Sequence, residues 1–156
     1  MRDDEVELAN GVISHREICE HPGAVCVIPI TSDGRIVLIR QFRKPAEEVL
    51  IEIPAGLINK EEKLENAAIR ELEEETGYKA SKIEFVFSIF MSPGYSTEKL
   101  HFFIARDIIK TKTGQDFDEH IEAEIFSIDD AFQMIKDGKI KDSKTIIGVY
   151  LAKEKK

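Results

Sequence analysis

Residues 56–78 read GLINKEEKLENAAIRELEEETGY, between a Pro54-Ala55-Gly56 corner and a Thr76-Gly77 stop. Seven glutamates lie within 61–75, offset there only by Lys63 and Arg70, while the whole chain has a net charge of −8. The periodicity predicts a helix from Lys63 to Thr76, with Gly77 as its C-terminal cap. At about 100° per residue, Leu72, Ile69, Ala68 and Leu64 form an apolar stripe. Glu71, Glu74 and Glu75 then share roughly a 100° arc, with Glu71 and Glu75 flanking the stripe. Like charges three and four residues apart oppose a helix by about 0.2–0.5 kcal/mol per pair, and burial raises that cost. A hard divalent cation with oxygen ligands, Mg²⁺ or Mn²⁺, would reverse the penalty. The plain alternative is an acidic, solvated helix face.

The full spacing favours the cation. Gly56, Glu62, Arg70-Glu71-Leu72, Glu74-Glu75, Gly77 and Tyr78 fall at nine defined positions over 23 residues. This resembles the signature of the Nudix hydrolases at every one of them. The resemblance implies a loop–helix–loop that binds divalent metal, with two or more ions per site, and cleaves a nucleoside diphosphate linked to another moiety. Carried over by position, it makes Glu71 and Glu75 the metal ligands, Glu74 a ligand or a close neighbour of one, and the Ala55 carbonyl a backbone ligand. Arg70 would hold a glutamate in position, or else pair simply with Glu74. Glu62 is an outer ligand or a helix-start carboxylate.

Looser matches extend the likeness to the ADP-ribose pyrophosphatase branch. They are Gln41-Phe42-Arg43, the Ile51–Gly56 approach, Ser92-Pro93-Gly94-Tyr95-Ser96-Thr97-Glu98, and Asp137-Gly138-Lys139-Ile140 with Asp142; Pro93 stands sixteen residues after Gly77. The implied reaction is metal-dependent hydrolysis of a nucleoside diphosphate sugar, ADP-ribose to AMP and ribose 5-phosphate. GDP-mannose or another nucleotide derivative is the alternative substrate, and a non-catalytic nucleotide sensor the alternative function. By analogy Arg43 contacts the diphosphate, while Ser92 and Glu98 serve the terminal ribose. Taken alone, Arg43 is a strand-end surface cation and Ser92-Pro93-Gly94 a plain turn. Phe42 either stacks on the base or packs in the core. The branch draws its catalytic base from an acidic loop after the box, here 111–121, TKTGQDFDEHI. Glu119 matches best, with Asp116 and Asp118 as competitors and His120 as a candidate on titration grounds. N-terminal strands that cross to a partner subunit in this branch imply a homodimer.

Length and composition set outer limits. A chain of 156 residues fits a single domain with a real core. The opening MRDDEVELAN has no apolar run, so no secretory leader is expected. No stretch nears the roughly 20 apolar residues that span a bilayer. Cys19 and Cys26 suit neither a metal site nor a disulfide framework, which points to a reducing, cytoplasmic setting. His15, His21, His101 and His120 show no metal spacing. The acidic balance and the lack of a basic stripe argue against a nucleic-acid partner.

Strands are expected at Glu5–Ala9 and Val12–Ile18 about an Asn10-Gly11 turn, forming an arm over residues 1–20. Further strands are expected at Ala24–Ile30, Arg35–Arg43, Val49–Ile53, Ile83–Phe90, Leu100–Ala105 and Ala123–Ile128. Ser127 with Asp130 resembles a capping box for a helix through Lys136, closed by Gly138. Asp142 would cap a last helix, Lys144–Lys153, with Ile146, Ile147, Tyr150 and Leu151 facing inward. Strands mixed with helices imply an α/β fold, an α/β/α sandwich on a mixed central sheet. The Nudix resemblance implies the same architecture.

Overall fold

The run Ala24-Val-Cys-Val-Ile-Pro29 has no polar side chain, and such strands belong where both faces of a sheet are covered. In the computed structural model, which describes residues 1–111 and 121–155, all six of these residues are buried. The chain order is β1 (Arg2–Glu7), β2 (Ile13–Ile18), β3 (Ala24–Pro29), β4 (Arg35–Arg43), β5 (Glu48–Glu52), β6 (Ala55–Leu57), α1 (Leu64–Thr76), β7 (Tyr78–Phe90), β8 (Lys99–Lys110), β9 (Glu122–Ser127), α2 (Ile128–Lys136) and α3 (Ser143–Glu154). β3 pairs in parallel with β8, from Ala24↔Leu100 to Pro29↔Ala105, and antiparallel with β6. The resulting mixed sheet has the order β6-β3-β8-β7.

Side chains alternate across a strand, and β3 and β8 use that to feed two cores. Cys26, Ile28, Phe102 and Ile104 point into one, which is closed by Ile36 and Leu38 of β4 and by α2 and α3. Val25, Val27, Phe103 and Ala105 point into the other, under Ala67, Ala68 and Leu72 of α1. The sandwich is therefore helix, sheet, helix. Among the described residues no helix is long and apolar enough to cross a membrane.

Several expectations need correction. Beside the expected mixed central sheet, β5-β4-β9 forms a separate antiparallel sheet, and the N-terminal arm β1-β2 a third. Ile30, just after β3, forms an isolated bridge with Ile36 of β4. The N-terminal hairpin has a longer loop than a two-residue turn, because Glu7 pairs with Ile13 and the connection closes through Leu8 N–H to Val12 O. The first strand accordingly starts at Arg2 rather than Glu5. β7 and β8 run well beyond their apolar segments, since their cross-strand ladder continues out to Tyr78↔Lys110. From Ala55 the Pro54-Ala55-Gly56 corner runs into a short strand of its own, β6.

On α3 the buried residues are Thr145, Gly148, Val149 and Ala152, whereas Tyr150 is exposed and Ile146, Ile147 and Leu151 are only partly covered. The helix backbone lies directly on the sheet. A Cβ on Gly148 would sit 3.1–3.3 Å from Ile53 and Ile28 side chains, so small residues take the inward face. Phe42 does not pack in the core: it is exposed opposite Val49 on the β4–β5 pair.

Candidate active site

The corner before α1 and the helix itself are built around one close approach. Gly56 pairs with Val25, and a Cβ added to it would fall 2.0 Å from Glu71 Cδ. Only a residue without a side chain lets the Glu71 carboxylate lie there. One residue earlier, the Ala55 N–H donates to Glu75 Oε2 at 2.8 Å. Glu71 and Glu75 therefore lie within the buried face of α1, with Ala67, Ala68 and Leu72, rather than flanking an apolar stripe; Ile69 is only half-buried. Burial pushes the Glu71 carboxyl above its ordinary range, against the pull of Arg70.

Arg70 answers the charge crowding. Its Nη1 donates to Glu71 Oε1 at 2.6 Å and to Glu74 Oε2 at 2.9 Å. Its Nε and Nη2 donate to the Glu62 oxygens at 3.0 Å each, and Nη2 also reaches the Leu57 carbonyl. Arg70 thus contacts Glu71 as well as making the i,i+4 pair with Glu74. Glu62 is tied to the helix start, accepting from the Asn59 N–H at 3.0 Å. The Arg70 guanidinium holds its carboxyl below the usual range.

A cleft of ≈ 600 Å³ gathers these groups. It is lined by Ala55, Gly56, Arg70, Glu71, Glu74 and Glu75, and also by Arg43 and Glu98. Arg43 is no free surface cation: its Nε and Nη2 donate to the two oxygens of Glu52 at 2.8 and 2.7 Å. The cleft lining does not include Ser92, whose carbonyl accepts from the Tyr95 and Ser96 amides and closes a turn. Asp116, Asp118, Glu119 and His120 lie outside the described residues.

Four polar or charged cleft residues carry no site role from the sequence: His21, Gln41, Asp142 and Lys144. His21 Nδ1 accepts from the Gly23 N–H at 3.1 Å, and Nε2 stands 3.9 Å from Glu98. Its backbone N–H donates to Thr97 Oγ1, and the Thr97 N–H donates to the Cys19 carbonyl. The segment before β3 is thus laced to the loop that carries Glu98. Lys144 contacts Glu52 and lies 3.1 Å from Asp142. The one sequence signal for it is a cation in the first turn of a helix, where the macrodipole opposes one.

The donor set suits a hard divalent cation. Glu71 and Glu75 are buried carboxylates beside the Ala55–Gly56 backbone, with Glu74 next to them and Arg70 as the cation now compensating Glu71 and Glu74. Oxygen donors of this kind are what Mg²⁺ and Mn²⁺ take. Among the described residues no three carboxylate, histidine or cysteine side chains already converge as a cation cage.

Comparison with known proteins agrees with this geometry. The NUDIX domain model matches residues 20–147. The chain is 46% identical to the methanol dehydrogenase activator of Bacillus methanolicus and 41% identical to the ADP-ribose pyrophosphatase of Bacillus subtilis, in each case over 94% of this chain and 80% of the relative. It is 38% identical to the GDP-mannose pyrophosphatase of Klebsiella pneumoniae, over 92% of this chain and 78% of that one. The crystal structure of an ADP compounds hydrolase superposes with a TM-score of 0.83 at 26% identity, covering 96% of this chain and 82% of that one.

Proposed function

The chain belongs to the Nudix family and is a hydrolase, and from that premise we propose that it cleaves the diphosphate linkage of a nucleoside diphosphate sugar, ADP-ribose first, to AMP and ribose 5-phosphate. The observation that carries this is the composition of the cleft. Three box carboxylates and Arg43 line one cavity, with Glu98 and His21 in it as well. That combination suits a polyanion joined to a hydroxylated sugar.

Nudix hydrolases generally depend on divalent metal, and here Glu71, Glu75, Glu74 and the Ala55 carbonyl would hold Mg²⁺ or Mn²⁺, two or more ions per site. When bound, the ions neutralise the diphosphate oxygens and acidify water. Arg43 binds the diphosphate in a fixed orientation, clamped from behind by Glu52. Arg70 keeps Glu71 and Glu74 from repelling each other before substrate arrives. Glu98 accepts hydrogen bonds from the terminal ribose, with Ser92 on the same loop supporting that end. Glu119 takes the proton of the attacking water, with Asp116 and Asp118 as competitors for the role. A homodimer through the 1–20 arm is part of the proposal. The free thiols Cys19 and Cys26 support a reducing, cytoplasmic setting.

The test is hydrolysis of ADP-ribose with Mg²⁺, scored as AMP plus ribose 5-phosphate and set beside GDP-mannose by kcat/KM. Preference for GDP-mannose would replace the substrate. Absence of turnover with any diphosphate at high Mg²⁺ would leave only a nucleotide-binding sensor.

A further inference from the structure

Lys144 stands where helix electrostatics disfavours it. It is the second residue of α3, after the cap Asp142, in a first turn where the macrodipole opposes cations. Its side chain is nevertheless only 13% exposed, held by Asp142 Oδ1 at 3.1 Å and by Glu52 Oε2. Asp142 has its own purpose as the cap, accepting from the Thr145 N–H at 2.9 Å. Glu52 has no comparable local purpose. It ends β5, is 1% exposed, and a carboxylate that deep is costly unless paired and hydrogen-bonded.

Both partners of Glu52 line the cleft. Arg43 engages its two oxygens, and Lys144 shares Oε2 with Arg43 Nη2. Burial alone would raise the Glu52 carboxyl, but the hydrogen bonds from Arg43 and the charge of Lys144 outweigh it and hold it below the usual range. The backbones are locked as well. Thr145 Oγ1 accepts from the Ile53 N–H at 2.8 Å and donates to Asp142 Oδ2 at 2.6 Å, so the start of α3 is stitched to the residue after Glu52. Stability alone is a poor reason for such a cluster, since buried ion pairs replaced by apolar side chains often cost nothing.

Resting on the reading that Arg43 receives the substrate diphosphate, we infer that Lys144 is a positioning residue for Arg43: it holds Glu52 in place, and Glu52 in turn clamps Nε and Nη2 so that the guanidinium faces the cleft in one orientation. Lys144 acts through Arg43 and does not need to touch the substrate.

The experiment measures kcat and KM for ADP-ribose, and calorimetric affinity for inorganic pyrophosphate, on wild type, K144M, K144R, R43A and R43A/K144M. K144M is expected to lose about tenfold to a hundredfold in kcat/KM, the scale of a displaced binding group. That loss should be carried mainly by KM and mirrored in pyrophosphate affinity, and K144R should recover part of it. The double variant should be no weaker than R43A alone, because groups acting in series do not add. Additive losses would overturn the inference by making Lys144 a direct phosphate contact, and so would unchanged pyrophosphate affinity in K144M. If K144M fails to fold, K144Q takes its place in the same cycle. Wild type that binds pyrophosphate in a Lys144-dependent way yet leaves ADP-ribose intact would remove the substrate reading and keep this one. Wild type that binds no pyrophosphate would remove this one.

Discussion

Gly56→Ala is the smallest change that attacks the site from the backbone side. The new Cβ would lie 2.0 Å from Glu71 Cδ and 2.1 and 2.2 Å from its two oxygens. Non-bonded carbon atoms settle about 3.5–4.0 Å apart, so the carboxylate must retreat by about 1.5 Å. What collides is the end of a flexible side chain, so Glu71 swings away and the sheet stays put. The stability cost then sits near the lower end of the ~1–3 kcal/mol typical of overpacking. For a chain of this size each kcal/mol lowers Tm by about 2–4 °C. The chemical cost is far larger: a ligand misplaced by an ångström costs about a hundredfold in rate. The assay is steady-state diphosphate hydrolysis across a Mg²⁺ titration, with thermal melts in EDTA beside it. We expect kcat to drop at least about a hundredfold and the Mg²⁺ midpoint to rise. In a Glu71→Ala background, Gly56→Ala should cost almost no further stability, because the clashing group is gone. Near-wild-type turnover with an unshifted Mg²⁺ midpoint, or an equal Tm loss in both backgrounds, would refute the reasoning.

Glu75→Gln is expected to cut kcat by orders of magnitude with the fold intact, and its Tm in EDTA should equal or exceed wild type, because an amide oxygen can still accept from Ala55 N–H while one like charge is removed; near-full activity would discard Glu75 as a ligand. Arg70→Ala strips the shared cation from Glu62, Glu71 and Glu74. It should cost about 1–3 kcal/mol in EDTA, part of which Mg²⁺ restores; melts with and without Mg²⁺ decide it, and no recovery would argue against a cation site. Glu52 has its carboxyl held low in the fold, so its stabilisation is present above the unfolded carboxylate range and is lost as pH falls through the folded value. The Tm gap between wild type and Glu52→Gln should therefore be flat at neutral pH and shrink on acidification; a gap that widens in acid would reverse the sign. Sedimentation at micromolar concentration should show a dimer, and a strict monomer would rule out the N-terminal assembly.

Local chemistry was readable from the residues, and long-range packing was not. Gly77 caps α1 with φ of 69°, Ser127 accepts from the Asp130 N–H, and Asp142 from the Thr145 N–H. Each needs only neighbours within a turn, so the helix ends could be placed in advance. The box glutamates were legible for the same reason, their spacing being a property of one helix. Their burial was not. That follows from Gly56 meeting Glu71 fifteen positions later, which demotes Ile69 and brings Ala67 inward. The inner face of α3 was read in part: Ile146, Ile147 and Leu151 do pack against the core, but apolar bulk was the guide, and it put Tyr150 inside and passed over Gly148 and Ala152, which a helix laid tightly on a sheet selects. Lys144 and His21 escaped notice because their partners come from sequence positions 92 and 76 residues away.

The hydrogen bond from Ala55 N–H to Glu75 joins a sheet edge to a helix through a single proton. β6 is the outermost strand of its sheet, and an amide on such an edge would ordinarily trade its hydrogen with water quickly. Here a carboxylate covers it. The exchange rate of that one amide therefore reports which way Glu75 is turned: slow while the carboxylate covers it, and expected to quicken if Glu75 turns to the proposed cation. On the proposed metal reading, loading of the site would be followed at one backbone resonance, with no substrate present and no turnover.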